Sequence, residues 1–359
     1  VVLSARPLAL WVLPVSDLGG VARHVLDVAE VGVPGWRLAV LCPPGPLADR
    51  LRALGADVRT APVGPDDGVR ASVAAVRRAV RELAPAVVHS HLSWADVVAA
   101  AATLGSPAAL VTTEHGIADD DLVYHGTAWR ARLKEALHTA RLRRADAVVA
   151  VSGATARSIT RKWHPGARTP LHVVRNGLDR PATPPVREPG LHVVSVSRLA
   201  PEKRLDALLH GFAVLHREHP RARLTLAGTG PDEAALRSQA DTLDVAGAVT
   251  FPGHVEAADL LARADVLVQL SVWENCSYAL LEALGHGCGV LASPVGGNPE
   301  ILPRAALVDP RDPAAVAAGV VRQGLDPTTR PRLDPAWPTR ADMTAAVSAV
   351  YAGAVEPRR

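Results

Sequence analysis

The chain has 359 residues, of which 48% are hydrophobic and only 3% aromatic, with a formal charge of +3. That length suffices for two buried cores, while apolar runs such as 97–104 fall short of the roughly 20 residues a membrane helix requires. So small a charge with so few rings excludes a nucleic-acid partner and leaves small anionic ligands open.

In chain order, a lone Arg6 precedes an apolar run. Because Gly19, Gly20 and an amphipathic pattern follow directly, the run reads as a first strand over 8–13 and not as a signal peptide. Strands are then predicted over 38–41, 87–90, 109–113, 147–151 and 171–174. Helices are expected over 21–31, 69–83, 94–104 and 127–144. Pro181, Pro184, Pro185 and Pro189 mark 178–190 as an extended linker. Strands resume over 193–197, 223–227, 249–251, 266–269, 290–292 and 306–308. After a second proline-rich stretch, a helix over 340–351 could return to the first domain.

This alternation predicts an α/β fold of two doubly wound parallel sheets facing a central cleft, with function in the loops that follow the strands. The domains are expected at 1–178 and 191–336, joined by 179–190, with 337–359 as a terminal helix. Cys42, Cys276 and Cys288 form an odd set without a C-x-x-C pair. A reducing cytoplasm fits them better than a disulfide framework or a zinc site.

The loop after 193–197 holds Arg198 and Lys203, the latter one of only three lysines beside Lys134 and Lys162. A forked guanidinium and a compact ammonium at one turn suit a diphosphate, although a solvated helix start also explains them. Gly228 and Gly230 could let backbone amides approach a phosphate, but G-x-G-x-x-G is incomplete, which disfavours a nicotinamide dehydrogenase. Glu274 and Glu282 bracket a predicted helix start near Ser277. The outer carboxylate suits a sugar and the deeper one a ribose diol, the alternative being two exposed helix-end glutamates. Gly296 and Gly297 form a further close-approach loop before Glu300.

In the first half, Gly19 and Gly20 open a helix whose amino end suits a phosphate. His115, in Thr113-Glu114-His115-Gly116, can hydrogen-bond hydroxyls or move a proton, or be a satisfied structural histidine. His89 and His91 are an H-x-H pair with no third ligand in view, so no metal is expected. Asp119 to Asp121 contain D-x-D in what reads as a solvated loop. The 127–144 helix carries Arg130, Arg132, Lys134, Arg141, Arg143 and Arg144 over Leu133, Leu137 and Leu142; it could rest weakly on an anionic membrane, with a solvated face the simpler reading.

Taken in order, the Gly19-Gly20 loop, Thr113 to Gly116, Asn176-Gly177-Leu178-Asp179, Arg198 with Lys203, Gly228 to Pro231, Glu274 with Glu282, and Gly296 to Glu300 resemble glycosyltransferase family 4, the retaining two-Rossmann-domain (GT-B) type. The resemblance implies an acceptor side in the first domain and a nucleotide-sugar donor side in the second. Arg198 and Lys203 would bind the donor diphosphate, Glu282 the ribose, and the backbone of Gly253, His254 and Val255 the base. Glu274 and the amides of Asn275, Cys276 and Ser277 would hold the sugar, His115 would contact it, and Gly20 would close onto the phosphates.

A retaining hexosyl transfer is then expected, in which the leaving phosphate takes the acceptor proton and no metal or cofactor is needed. UDP is slightly preferred as carrier, and the acceptor is unidentified. The location expected is cytoplasmic, or peripheral at the inner membrane face. Asn275 and Gly289 depart from the family pattern, the first bearing on sugar identity. The alternatives are an epimerase or hydrolase on the same fold, or a silent nucleotide-sugar-binding protein.

Overall fold

The computed structural model describes residues 6–116, 128–166, 169–181 and 188–356, without the side chains of 128–135. The chain divides into two compact units, one formed by 1–177 with 338–359 and the other by 178–337. Each is a parallel α/β sheet with helices around it.

The first unit runs β1 (Leu8–Val12), α1 (Gly20–Val31), β2 (Arg37–Cys42), α2 (Pro46–Ala53), β3 (Asp57–Thr60), α3 (Val69–Leu83), β4 (Val87–His91), α4 (Ser93–Ala102), β5 (Ala109–Glu114), α5 (Ala128–Arg144), β6 (Ala147–Ala150), α6 (Gly153–Trp163) and β7 (Leu171–Val173). Its seven strands lie in the order β3-β2-β1-β4-β5-β6-β7. β1 pairs in parallel with both β2 and β4, so the winding reverses at β1.

Alternation along β1 builds two cores. Ala9, Trp11 and Leu13 enter the one formed with α1 and α2, while Leu8, Leu10 and Val12 enter the one formed with α3 and α4. A period of two with both faces apolar is what a central parallel strand requires. α2, β3 and α6 have no counterpart among the sequence expectations. β3 (Asp57–Thr60) lies at the sheet edge with three of its four residues exposed, so it carries little apolar signal.

The second unit runs β8 (His192–Val196), α7 (Leu205–Glu218), β9 (Arg223–Ala227), α8 (Glu233–Thr242), β10 (Val249–Gly253), α9 (Ala257–Leu261), β11 (Val266–Gln269), α10 (Tyr278–Gly285), β12 (Gly289–Ala292), α11 (Asn298–Ile301) and α12 (Pro313–Leu325). The order is β10-β9-β8-β11-β12, all parallel, with the winding reversed between β8 and β11. The strand expected over 306–308 is absent: a 3₁₀ turn occupies Arg304–Ala306, and one bridge joins Leu307 to Ala292. β12 is therefore an edge strand. Gln323 of α12 satisfies it, accepting from Val290 N at 2.7 Å and donating to Val290 O at 3.1 Å. Gly289, one departure from the family pattern, faces that same glutamine: a Cβ there would stand 2.9 Å from Gln323 Cβ.

The last helix, α13 (Arg340–Val355), belongs to the first unit. Thr339 caps it, and Met343, Val347, Val350 and Tyr351 enter the Trp11 core. Arg340 reaches Glu30 at 2.7 Å. The Tyr351 hydroxyl is fully buried, accepting from Trp11 Nε1 at 2.6 Å and bonding His89 Nδ1 at 2.7 Å. Burial pushes this phenol far up, so it stays neutral. Tyr351→Phe leaves two buried groups without their partner and is expected to destabilise the first unit by about 2 kcal/mol. Urea denaturation measures this; an unchanged midpoint would refute the anchoring role.

Candidate functional site: a charged loop pair and a histidine cluster

In the second unit, β8 and β11 are the neighbours at which winding reverses, and the loops leaving them diverge there. Ligands of such sheets bind at this place, beyond the carboxyl ends of the strands. The loop after β8 carries Arg198 and then a 3₁₀ turn, Pro201–Lys203. The loop after β11 carries Ser271 to Ser277. Val272 N donates to Glu202 O at 2.8 Å and ties the two loops together.

Across this tie Lys203 Nζ meets Glu274 Oε1 at 2.5 Å, with side chains 17% and 11% exposed. Ser271 Oγ donates to the same oxygen at 2.8 Å. Lys203 also stands 5.9 Å above the Trp273 ring. A half-buried pair has given up part of its hydration, so an incoming anion finds an ammonium already placed and poorly solvated. Arg198 does not join it. It is 73% exposed and pairs with Glu202 at 2.5 Å, so the two cations expected together have separate partners.

Glycine makes these loops possible at two points. A Cβ on Gly296, whose φ is +51°, would lie 1.7 Å from Glu274 O, and one on Gly228, φ +130°, would lie 1.9 Å from Ser197 O. The Gly296 loop therefore lies directly on the Glu274 backbone, with Gly297 N donating to Glu274 O at 3.2 Å. Gly228 N donates to Gly253 O at 2.8 Å, joining the loop after β9 to the end of β10, where Val255 is half-buried and His254 exposed.

α10 begins where the sequence places it. Ser277 is its N-cap, accepting from Leu280 N, and Gln269 Nε2 holds Ser277 Oγ at 2.9 Å. Asn275, Cys276 and Ser277 are buried, and Glu282 is partly exposed in the second turn. Gln269, Ser271 and Ser293 were given no role by sequence reasoning, and Asn298 entered only within the Gly296 to Glu300 motif. Ser293 Oγ donates to Ser271 O at 2.6 Å and Asn298 Nδ2 to Ser293 O at 3.1 Å. They brace the loop, and no spacing in the sequence marks them. Ser271, Val272, Ser293, Val295, Arg204 and Arg311 line an open cavity of about 280 Å³.

In the first unit the reversal lies between β1 and β4, and Gly20 opens α1 there with an exposed backbone. His115 follows β5 and is half-buried, its Nε2 2.8 Å from His91 Nδ1. His89 and His91 do not act as a pair, since His89 bonds Tyr351 and Thr113. His24 of α1 joins His91 and His115, one ring nitrogen of each lying within 4.8 Å of the others. These residues are far apart in sequence, and only the adjacency of β1, β4 and β5 unites them.

Behind His115, Glu114 ends β5 and pairs with Arg141 at 2.6 Å, while Arg141 also reaches Asp96. Arg141 is buried, so it is not part of a basic face on α5; Leu137 of that helix is 49% exposed, whereas Leu142 is buried. Asp119 to Asp121 and the side chains of Arg130, Arg132, Leu133 and Lys134 lie outside the described residues. Among the described residues no helix is long and apolar enough to cross a membrane.

Comparison with known proteins matches residues 18–180 to the model "Glycosyltransferase Family 4" and 190–323 to "Glycosyl transferases group 1". The chain is a family 4 glycosyltransferase of the GT-B type. This glycosyltransferase is 32% identical over 200 residues to glycogen synthase of Mycobacterium tuberculosis, spanning 52% of the chain and 47% of that relative. Its fold is similar to that of Anabaena HepE, solved in complex with UDP and glucose (TM-score 0.77, 19% identity, 96% of this chain and 95% of that one). It is likewise similar to sucrose-phosphate synthase from Thermosynechococcus elongatus (TM-score 0.73, 20% identity, 97% and 94%).

In this glycosyltransferase two carboxylates share the Arg141 guanidinium in a buried site. Burial, reinforced by the Glu114 charge, pushes Asp96 from 3.8 up to about 7 against the pull of Arg141. The native state therefore binds this proton more tightly than the unfolded chain. The stability it contributes is present below 3.8 and is lost as pH rises through about 7. Asp96→Asn imitates the protonated form, so its unfolding free energy should fall less steeply across that window than that of the wild type. Urea denaturation over a pH series tests this; parallel profiles would contradict it.

Proposed function

We propose that the chain is a retaining, metal-independent hexosyltransferase that takes its sugar from a nucleotide diphosphate donor, with UDP the favoured carrier. The observation that carries this reading is the Lys203–Glu274 pair at the winding reversal of the second unit. An ammonium and a carboxylate held 2.5 Å apart fit a donor whose diphosphate and sugar are joined at the bond to be broken. Lys203 neutralises charge growing on the departing diphosphate, which supplies what a divalent ion would otherwise supply. Glu274 receives sugar hydroxyls and stabilises positive charge at the anomeric carbon. A phosphate oxygen of the leaving group takes the acceptor proton on the face from which it departs, so configuration is retained.

Exposed Arg198 adds a guanidinium to the diphosphate. The amides of Asn275, Cys276 and Ser277, at the start of α10, hold the sugar or phosphate. Glu282 takes the ribose diol, the backbone of Gly228, Gly253, His254 and Val255 serves the nucleoside, and His115, Gly19 and Gly20 serve the sugar and phosphates from the first unit. The choice of UDP draws support from HepE, which has been solved in complex with UDP-glucose. No acceptor is assigned.

Lys203→Ala and Glu274→Ala are each expected to lower kcat by about 10² to 10³-fold, the loss that follows removal of one preorganised charge, with thermal stability close to wild type. Glu282→Ala should act mainly on donor binding. The measurement is UDP release from UDP-hexoses in the presence of chelator and a panel of hydroxyl acceptors, paired with calorimetry for the donor. Near-normal turnover by either of the first two variants would sink the assignment.

A further inference from the structure

Three histidines of the first unit surround Trp11, whose ring lies 5.7 Å from His24, 4.9 Å from His89 and 4.3 Å from His91, and a fourth, His115, lies beside His24 and His91. They are not equivalent. His89 is fully engaged, with Nδ1 on the Tyr351 hydroxyl and Nε2 on Thr113 Oγ1, both at 2.7 Å. His24, His91 and His115 instead converge, their ring centroids 4.9 to 5.8 Å apart. His91 meets His115 through its Nδ1, 2.8 Å from His115 Nε2.

We propose that His24, His91 and His115 form a three-histidine site for Zn²⁺ or a similar borderline divalent ion, with a fourth position left to water. The place favours it. His24 lies on the helix after β1, His91 ends β4 and His115 follows β5, so the three meet at the winding reversal of the first unit. The donor set favours it too, since three neutral imidazoles with one open position are a recurrent zinc arrangement.

The surrounding bonds orient them. His24 Nδ1 lies 3.3 Å from Asn176 Oδ1, an outer hydrogen bond of the kind that orients a ligating imidazole. Tetrahedral ligands at about 2.05 Å from zinc stand roughly 3.3 Å apart. The 2.8 Å contact between His91 and His115 must therefore open slightly, and His24 must draw in. His115, beyond the end of β5 and before Gly116, can adjust most easily, and as the half-buried member it gives the ion its entry.

The test uses tag-free protein stripped of metal. Zn²⁺ titrated by calorimetry is expected to bind one ion per chain. Co²⁺ should give the visible bands of a tetrahedral nitrogen-rich site, with tryptophan fluorescence quenched through Trp11. His24→Gln and His115→Gln should each weaken Zn²⁺ binding by at least about 100-fold, while His210→Gln on exposed α7 should leave it unchanged. Absence of tetrahedral Co²⁺ bands in the wild type, or variants that bind Zn²⁺ as tightly as it does, would overturn the proposal. A consequence rests on the proposed function: a metal on His115 withdraws that imidazole from the donor sugar, so Zn²⁺ should inhibit transfer. Binding without inhibition would count against the sugar role of His115 and leave the metal site standing.

Discussion

Reversal of winding is the constraint on which the rest depends. In a parallel sheet every crossover covers the loops beneath it, except where two neighbouring strands send their chains in opposite directions. The crevice left there is lined by loops whose backbone groups no further strand can satisfy. The second unit closes its crevice between β8 and β11 with Lys203 and Glu274, the first unit closes its own between β1 and β4 with imidazoles. One topology thus yields a charged crevice and a neutral one.

That difference has a physical origin in what supports each loop. Glu274 is gripped through its backbone by the Gly296 loop and through its side chain by Ser271, so the carboxylate keeps its place beside an ammonium at modest exposure. In the first unit the charges are set deeper. Arg141 carries Asp96 and Glu114 beneath the end of β5, with Thr112 Oγ1 donating to Asp96 at 2.6 Å. Fixing β5 from below fixes His115 above it. The terminal helix completes this support by lodging Tyr351 between Trp11 and His89.

The central strands were legible because short runs rich in β-branched and apolar residues alternate with helical patterns, and the site loops because glycine, lysine and glutamate fall at strand ends. β3 was not, since its residues are mostly exposed, and 306–308 misled because Ala306 is buried and Leu307 and Val308 half-buried without a strand ladder. Lys203 and Glu274 could be named from sequence, but their direct pairing could not, because 71 residues separate them and either could have turned to another partner. The basic helix shows the opposite limit. Arg141 looks from sequence like its neighbours, and only the buried Asp96 and Glu114 beside it draw it inward. His24 was invisible for the same reason: an apolar helix face gives no sign that a strand two positions along the sheet presents another histidine.

The central claim is that Lys203, placed by Glu274, receives a diphosphate. The most direct measurement is calorimetric titration of UDP, UMP and uridine, with GDP, ADP and TDP as alternatives, into wild type and Lys203→Ala in the presence of chelator. The account predicts that one nucleoside diphosphate binds without metal, that affinity falls from diphosphate to monophosphate to nucleoside, and that the variant loses most of this gradient. Binding that ignores the number of phosphates, or no binding by any diphosphate, would contradict it.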